Sequence, residues 1–166
     1  MDKSEKQTAN ITVRPLGSGE EAPYGLLLEA DPSRELVEGY LGQGTCLLAL
    51  AGEKVVGACV VIRAGVLTAE IANLAVGAPW RRQGIGARLV RAAAAGARTM
   101  RCREIVVCTG NSDFGPMRLY ERCGFRTGGV DRDYFRRHYP GPIFENGSEC
   151  RHRIIMRMVL LPGTGR

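Results

Sequence analysis

Asn73-Leu-Ala-Val-Gly-Ala-Pro-Trp-Arg-Arg-Gln-Gly-Ile-Gly-Ala87 is the stretch that decides the fold. It reads as the end of an apolar strand, a turn holding two arginines and two glycines, and the start of a long helix. Glycines permit a tight turn in which several backbone N–H groups point at one ligand. The helix N-terminus adds unpaired N–H groups and a partial positive charge. Together they form a site for a phosphate or pyrophosphate.

Known phosphate-binding patterns compete for this turn. A Walker loop needs Gly-x-x-x-x-Gly-Lys-Ser/Thr, which the chain lacks. A dinucleotide fold needs Gly-x-Gly-x-x-Gly, and Leu89 stands at its third glycine. Arg/Gln-x-x-Gly-x-Gly/Ala is met by Arg81-Arg82-Gln83-Gly84-Ile85-Gly86. The plain alternative is a helix entry whose glycines serve packing alone.

Working outward, hydrophobic periodicity and turn residues give the remaining elements. Strands are expected at 11–16, 45–51, 55–63, 66–76, 104–109, 125–130 and 151–160. Helices are expected at 18–30, 33–41 with Ser33 as N-cap, 84–100 and 116–123, the last stopped by Gly124. Residues 131–149 form a long segment rich in Pro and Gly. One helix links strands 66–76 and 104–109, which predicts that they run parallel. The hairpin signal Gly52-Glu53-Lys54 predicts antiparallel pairing elsewhere. The elements compose a mixed α/β (α+β) sandwich.

The chain has 166 residues, of which 45% are hydrophobic and 24% charged, a balance that suits one domain with a proper core. Residues 1–10 and 161–166 read as loose tails around a domain at 11–160. No run is apolar enough to span a bilayer, and no signal-peptide pattern opens the chain. The six cysteines share no short ligand spacing and there are two histidines, which fits neither a zinc site nor a redox pair, so no metal is expected. A reducing cytoplasm suits them better than a disulfide framework. The net charge of +6 lacks a basic run or an aromatic-interleaved stripe. An anionic small ligand explains the arginines between Arg81 and Arg103 better than a nucleic acid does.

The second half supplies Leu119-Tyr120-Glu121-Arg122-Cys123-Gly124-Phe125. With Ile71–Val76 and Pro79-Trp80-Arg81-x-x-Gly84-Ile-Gly86, in that order, the chain resembles the GNAT superfamily of acyl-CoA-dependent N-acetyltransferases over residues 11–160. Thr109-Gly-Asn-Ser and Tyr134-Phe-Arg-Arg-His-Tyr139 resemble a bacterial subgroup of that superfamily, which brings no acceptor with it. The resemblance implies a single-domain, mostly antiparallel sheet with a parallel β-α-β core and helices on both faces. It implies acetyl-CoA as the acyl donor and an amine as the acceptor, attacked directly in a ternary complex. Dimers are common in the superfamily, so a homodimer is compatible with it.

Site residues follow from the same resemblance. Backbone groups of Arg81, Arg82, Gln83, Gly84, Ile85, Gly86 and Ala87 would hold the coenzyme A pyrophosphate. Leu74, Ala75 and Val76 would pair with pantetheine and polarise the thioester carbonyl. Tyr120 would be the general acid toward the leaving thiolate. Glu70 is the leading general base, with Glu145 and His138 behind it. The usual asparagine position is Asp113 here, so Asn111 is the residue expected to reach pantetheine if the loop bulges. Cys108 and Cys123 have no neighbouring histidine in sequence, which disfavours a covalent route. A non-catalytic acyl-CoA-binding module is the alternative, and a nucleic-acid-binding protein a more distant one.

Overall fold

The computed structural model describes residues 10–161. The expected tails, apart from Asn10 and Leu161, lie outside the described residues. The elements in chain order are β1 (Ile11–Pro15), α1 (Tyr24–Ala30), α2 (Arg34–Leu41), β2 (Thr45–Ala51), β3 (Lys54–Arg63) and β4 (Thr68–Val76). A 3-10 turn at Ala78–Trp80 leads into α3 (Ile85–Thr99), β5 (Glu104–Gly110), α4 (Phe114–Arg122) and β6 (Arg126–Asp131). Then come α5 (Tyr134–His138), β7 (Ile143–Glu145), β8 (Ser148–Cys150) and β9 (Arg153–Val159).

Seven strands form one sheet in the order β1-β2-β3-β4-β5-β9-β6. β4 and β5 run parallel, as a crossover through α3 requires. The other adjacent pairs are antiparallel. The sheet is therefore mixed and mostly antiparallel, with a parallel β-α-β unit at its centre.

Apolar residues alternate along the strands, so each face of the sheet presents its own core. Ile85, Leu89, Val90, Ala93, Ala94 and Ala97 make the buried stripe of α3, at the spacing of one helix face. They pack with Val56, Cys59, Ile71, Ile105 and Val107. On the opposite face Leu27 of α1 and Val37 of α2 cover Leu48, Leu50, Ala58 and Val60. Ser33 caps α2, its hydroxyl accepting from the Leu36 N–H at 3.3 Å.

Two expectations are corrected in extent. The helix expected over 18–30 begins only at Tyr24, after Pro23. Gly19 sits at φ +81°, and the Glu20 carboxylate accepts from Arg14 and from the Gly17 N–H, which holds an irregular loop instead. The segment after β6 carries α5 and the small hairpin β7–β8, short elements that its Pro and Gly content hid.

Candidate functional site

β4 carries one residue more than its neighbour can match. Val60 pairs with Asn73, but Val61 pairs with Ile71, so Ala72 is the extra residue of a β-bulge. Bulges bend a strand and re-aim its side chains. Ladder pairing between β4 and β5 runs from Thr68↔Glu104 to Ile71↔Val107 and stops there. Beyond it, β4 stays on β3 while Cys108–Gly110 stay on β9. The two central strands therefore splay into a wedge.

Backbone alternation says which groups face that wedge. The Gly77 N–H donates to the Val56 carbonyl at 2.9 Å. In an antiparallel ladder the bonded pairs alternate, so Ala75 and Asn73 turn their polar groups toward β3. Leu74 and Val76 turn theirs to the open edge. This corrects the expectation for Ala75, which is buried with its N–H and C=O spent on the ladder.

The glycine turn lies at the mouth of the wedge. Arg82 has φ +63° and Gly84 φ +80°, left-handed values that fold the backbone back on itself. No side chain caps α3, and its first turn holds no acid. Its leading N–H groups are therefore presented to an incoming anion. The neighbouring side chains brace the turn. Arg81 Nε donates to the Val76 carbonyl at 2.9 Å, and its Nη2 reaches Glu29 at 3.4 Å. Gln83 donates to the Pro79 carbonyl at 3.2 Å. The Ile85 side chain is buried in the core. A Cβ on Gly86 would stand 3.2 Å from Leu119 Cδ2, so this glycine lets α3 approach α4 closely. Arg82, Gln83 and Gly84 are exposed and Ala87 is half-buried.

Tyr120 lies on α4, on the α3 side of the sheet. It is only 6% exposed, and its ring meets Phe125 edge-on at 5.6 Å. Burial holds its hydroxyl well above the ordinary phenol range, and the nearby thiols Cys59, Cys123 and Cys108 push the same way. Asp113 caps α4 through the Gly115 N–H at 2.9 Å, and Gly124 at φ +102° ends it.

The other face of the wedge is lined by different chemistry. Glu70 is half-buried, and burial raises its pKa while the Arg153 charge partly offsets the rise. The Arg153 guanidinium lies 4.1 Å over the Tyr134 ring and donates from Nη2 to Asp131 at 3.2 Å. Asn73 is buried and donates to the Leu27 carbonyl at 2.9 Å and to the Tyr40 hydroxyl at 2.7 Å. The sequence reading gave no role to Arg153, Asn73 or Tyr40. The signal for Asn73 was an amide inside an apolar strand; Arg153 and Tyr40 carry no local signature.

Asn111 is corrected most firmly. Its Oδ1 accepts from the Arg151 and His152 N–H groups, both at 2.8 Å, and its Nδ2 donates to the Glu149 carbonyl at 3.2 Å. It clamps the segment before β9 onto the end of β5, with its Oδ1 and one Nδ2 hydrogen engaged within the protein. The secondary base candidates are engaged too. Glu145 accepts from the Ser112 hydroxyl at 2.7 Å, and His138 stacks on Tyr134 at 4.1 Å.

A cavity of about 560 Å³ opens elsewhere, lined by residues including Glu20, Tyr24, Glu38 and Cys46. Its two acids are held by Arg14 and Arg34, and it lies apart from the wedge. Among the described residues no group of three or more His, Cys, Asp or Glu is placed to hold a metal ion. No described helix is long and apolar enough to cross a membrane.

Known proteins share this arrangement. The model of the acetyltransferase (GNAT) family matches residues 18–125. The Bacillus subtilis (strain 168) protein named "Uncharacterized N-acetyltransferase YvbK" is 41% identical over 131 residues, covering 79% of this chain and 84% of that one. A GNAT family acetyltransferase from Elizabethkingia anophelis, solved with acetyl-CoA bound, superposes with a TM-score of 0.86 at 39% identity, over 91% of this chain and 99% of the other. A Bacillus subtilis acetyltransferase solved in complex with CoA gives a TM-score of 0.86 at 38% identity, over 92% of this chain and 100% of that one. The bulged and splayed centre of the sheet, the uncapped glycine turn and these likenesses agree: the chain belongs to the GNAT family of acetyltransferases.

Proposed function

We propose that the wedge between β4 and β5 is where this N-acetyltransferase moves an acetyl group from acetyl-CoA to a primary amine. Acetyl-CoA is the donor, in keeping with the related structures solved with acetyl-CoA and with CoA. One observation carries the reading. Pairing stops at Ile71↔Val107 and leaves a free strand edge that ends at an uncapped helix N-terminus.

In this reading the pyrophosphate sits on the N–H groups of the Arg82–Ala87 turn, with Arg82 adding charge. The pantetheine arm lies along Leu74 and Val76 like an added strand. Arg81 already engages the Val76 carbonyl, so Val76 contributes its N–H. A backbone N–H on this edge polarises the thioester carbonyl and stabilises the oxyanion as it forms. The amine enters from the opposite face and passes a proton to Glu70, directly or through water. Its lone pair attacks the carbonyl carbon, the adduct's nitrogen gives up its extra proton to solvent, and the adduct collapses to the amide as the thiolate leaves. Tyr120 supplies a proton or hydrogen bond to that sulfur. Its raised pKa keeps the hydroxyl protonated throughout the neutral range. The step is direct: burial pushes the Cys108 thiol up, away from a reactive thiolate.

The free state of all six cysteines supports a reducing compartment such as the cytoplasm. The anion turn gives the local density of arginine a small anionic ligand as its partner. Calorimetry with coenzyme A, followed by acetyl transfer to a panel of primary amines, tests the whole reading. Millimolar coenzyme A without a binding signal would overturn it.

A further inference from the structure

Among the described residues, the acceptor face carries a cation, Arg153, whose surroundings do not complete it. Arg153 opens β9 opposite Gly110 on one side and Asp131 on the other. Its guanidinium is fixed by the Tyr134 ring, which is itself stacked on His138. Asp131 accepts from Nη2, yet the same carboxylate is shared with Arg137. One negative charge thus serves two guanidiniums. Arg153 Nε is buried with no hydrogen-bond partner, and the side chain as a whole remains 31% exposed. A guanidinium that shares its carboxylate partner with a second guanidinium keeps donors on its exposed part for an incoming acceptor group. Arg153 alternates with Ile154, and Glu70 with Ala69 and Ile71, all of which pack in the core on the α3 side, so Arg153 and Glu70 project from the same opposite face of the sheet, where the Arg153 charge also reaches Glu70 and Cys108.

We infer that the amine acceptor carries a carboxylate within a few bonds of its amino group, and that Arg153 binds this carboxylate while Glu70 faces the amine. The acceptor class is then a free amino acid or a close relative of one. This rests on the acetyl-transfer reading of the wedge. A carboxylate matches the guanidinium fork and supplies the missing charge.

The test uses matched probes on the full chain with saturating acetyl-CoA: the common L-amino acids, β-alanine and γ-aminobutyrate against their carboxamides and decarboxylated amines. At least one acid is expected to exceed its amide and amine in kcat/KM by about ten- to hundredfold, the worth of a charge-assisted hydrogen bond. Arg153→Gln should erase that preference through KM, and Arg153→Lys should restore part of it. Equal or better use of the amides, transfer to no acid, or an R153Q loss that falls equally on acids and amides would overturn the inference. Calorimetry with acetyl-CoA is run alongside. Donor binding with the wrong acceptor preference sinks this inference alone, whereas absent donor binding sinks the acetyl-transfer reading itself.

Discussion

Replacing Asn111 with alanine separates the clamp seen in the structure from the donor contact that the family pattern suggests. The substitution removes three hydrogen bonds, two accepted from the Arg151 and His152 N–H groups and one donated to the Glu149 carbonyl. At about 1 kcal/mol net for each bond, the segment before β9 loses about 3 kcal/mol of docking energy. That corresponds to about two orders of magnitude in its opening equilibrium. If the whole loss is felt globally, the melting temperature falls by roughly 6–12 °C. Amide exchange reads the local effect directly. The Phe135 N–H donates to the Arg151 carbonyl at 3.1 Å, so its protection reports docking. Asn111→Asp keeps both acceptor bonds but sets a carboxylate oxygen against the Glu149 carbonyl, so it should cost at least about 1 kcal/mol. Acetyl-CoA affinity should change by less than about twofold in both variants, a few tenths of a kcal/mol. Unchanged Phe135 protection in N111A, together with about tenfold weaker acetyl-CoA binding, would refute the clamp and return Asn111 to the donor.

Tyr120→Phe should lower kcat by about 10²–10⁴ while leaving melting and donor affinity near wild type. With product formation as the readout, a rate within about threefold of wild type would remove the general-acid role. Activity should rise with pH as Glu70 ionises, on a limb displaced above the ordinary carboxylate range because burial raises its pKa. Glu70→Gln should lower the rate and abolish that limb, so an identical pH profile in the variant would assign the limb to another group. Gly84→Ala should cost about 1–2 kcal/mol in stability through the left-handed backbone, since no atom lies within 4 Å of the added Cβ. It should also weaken coenzyme A binding, and calorimetry that shows full affinity would place the pyrophosphate elsewhere.

The legible parts of the chain are those written in local chemistry. Gly84 marks a turn because glycine accepts its left-handed backbone cheaply, and Gly86 marks the close approach of α3 to Leu119. The single helix between two apolar strands dictated their parallel pairing. Gly124 ended α4 where a left-handed residue was needed. The bulge at Ala72 was not legible, because an alanine there looks like any strand residue, and the mismatch exists only against β3. Ala75 was misplaced for the same reason, since which edge a backbone group faces depends on register. Asn111 was assigned by motif position, but its partners lie some 40 residues downstream in sequence (|i−j| 38 to 41). Arg153 owes its meaning to Asp131 and Tyr134, brought against it by two different segments, and to sharing a sheet face with Glu70.

The splay between β4 and β5 makes the sheet a partition with an opening at its centre. The glycine turn and α4 stand on one side of it. Glu70, Arg153 and the excursion between β6 and β9 stand on the other. Two molecules that approach from opposite sides meet only at the opening, so neither must leave for the other to enter. The two surfaces can also diversify independently. Changes in the β6–β9 excursion alter what is admitted on one side and leave the anion turn on the other side intact.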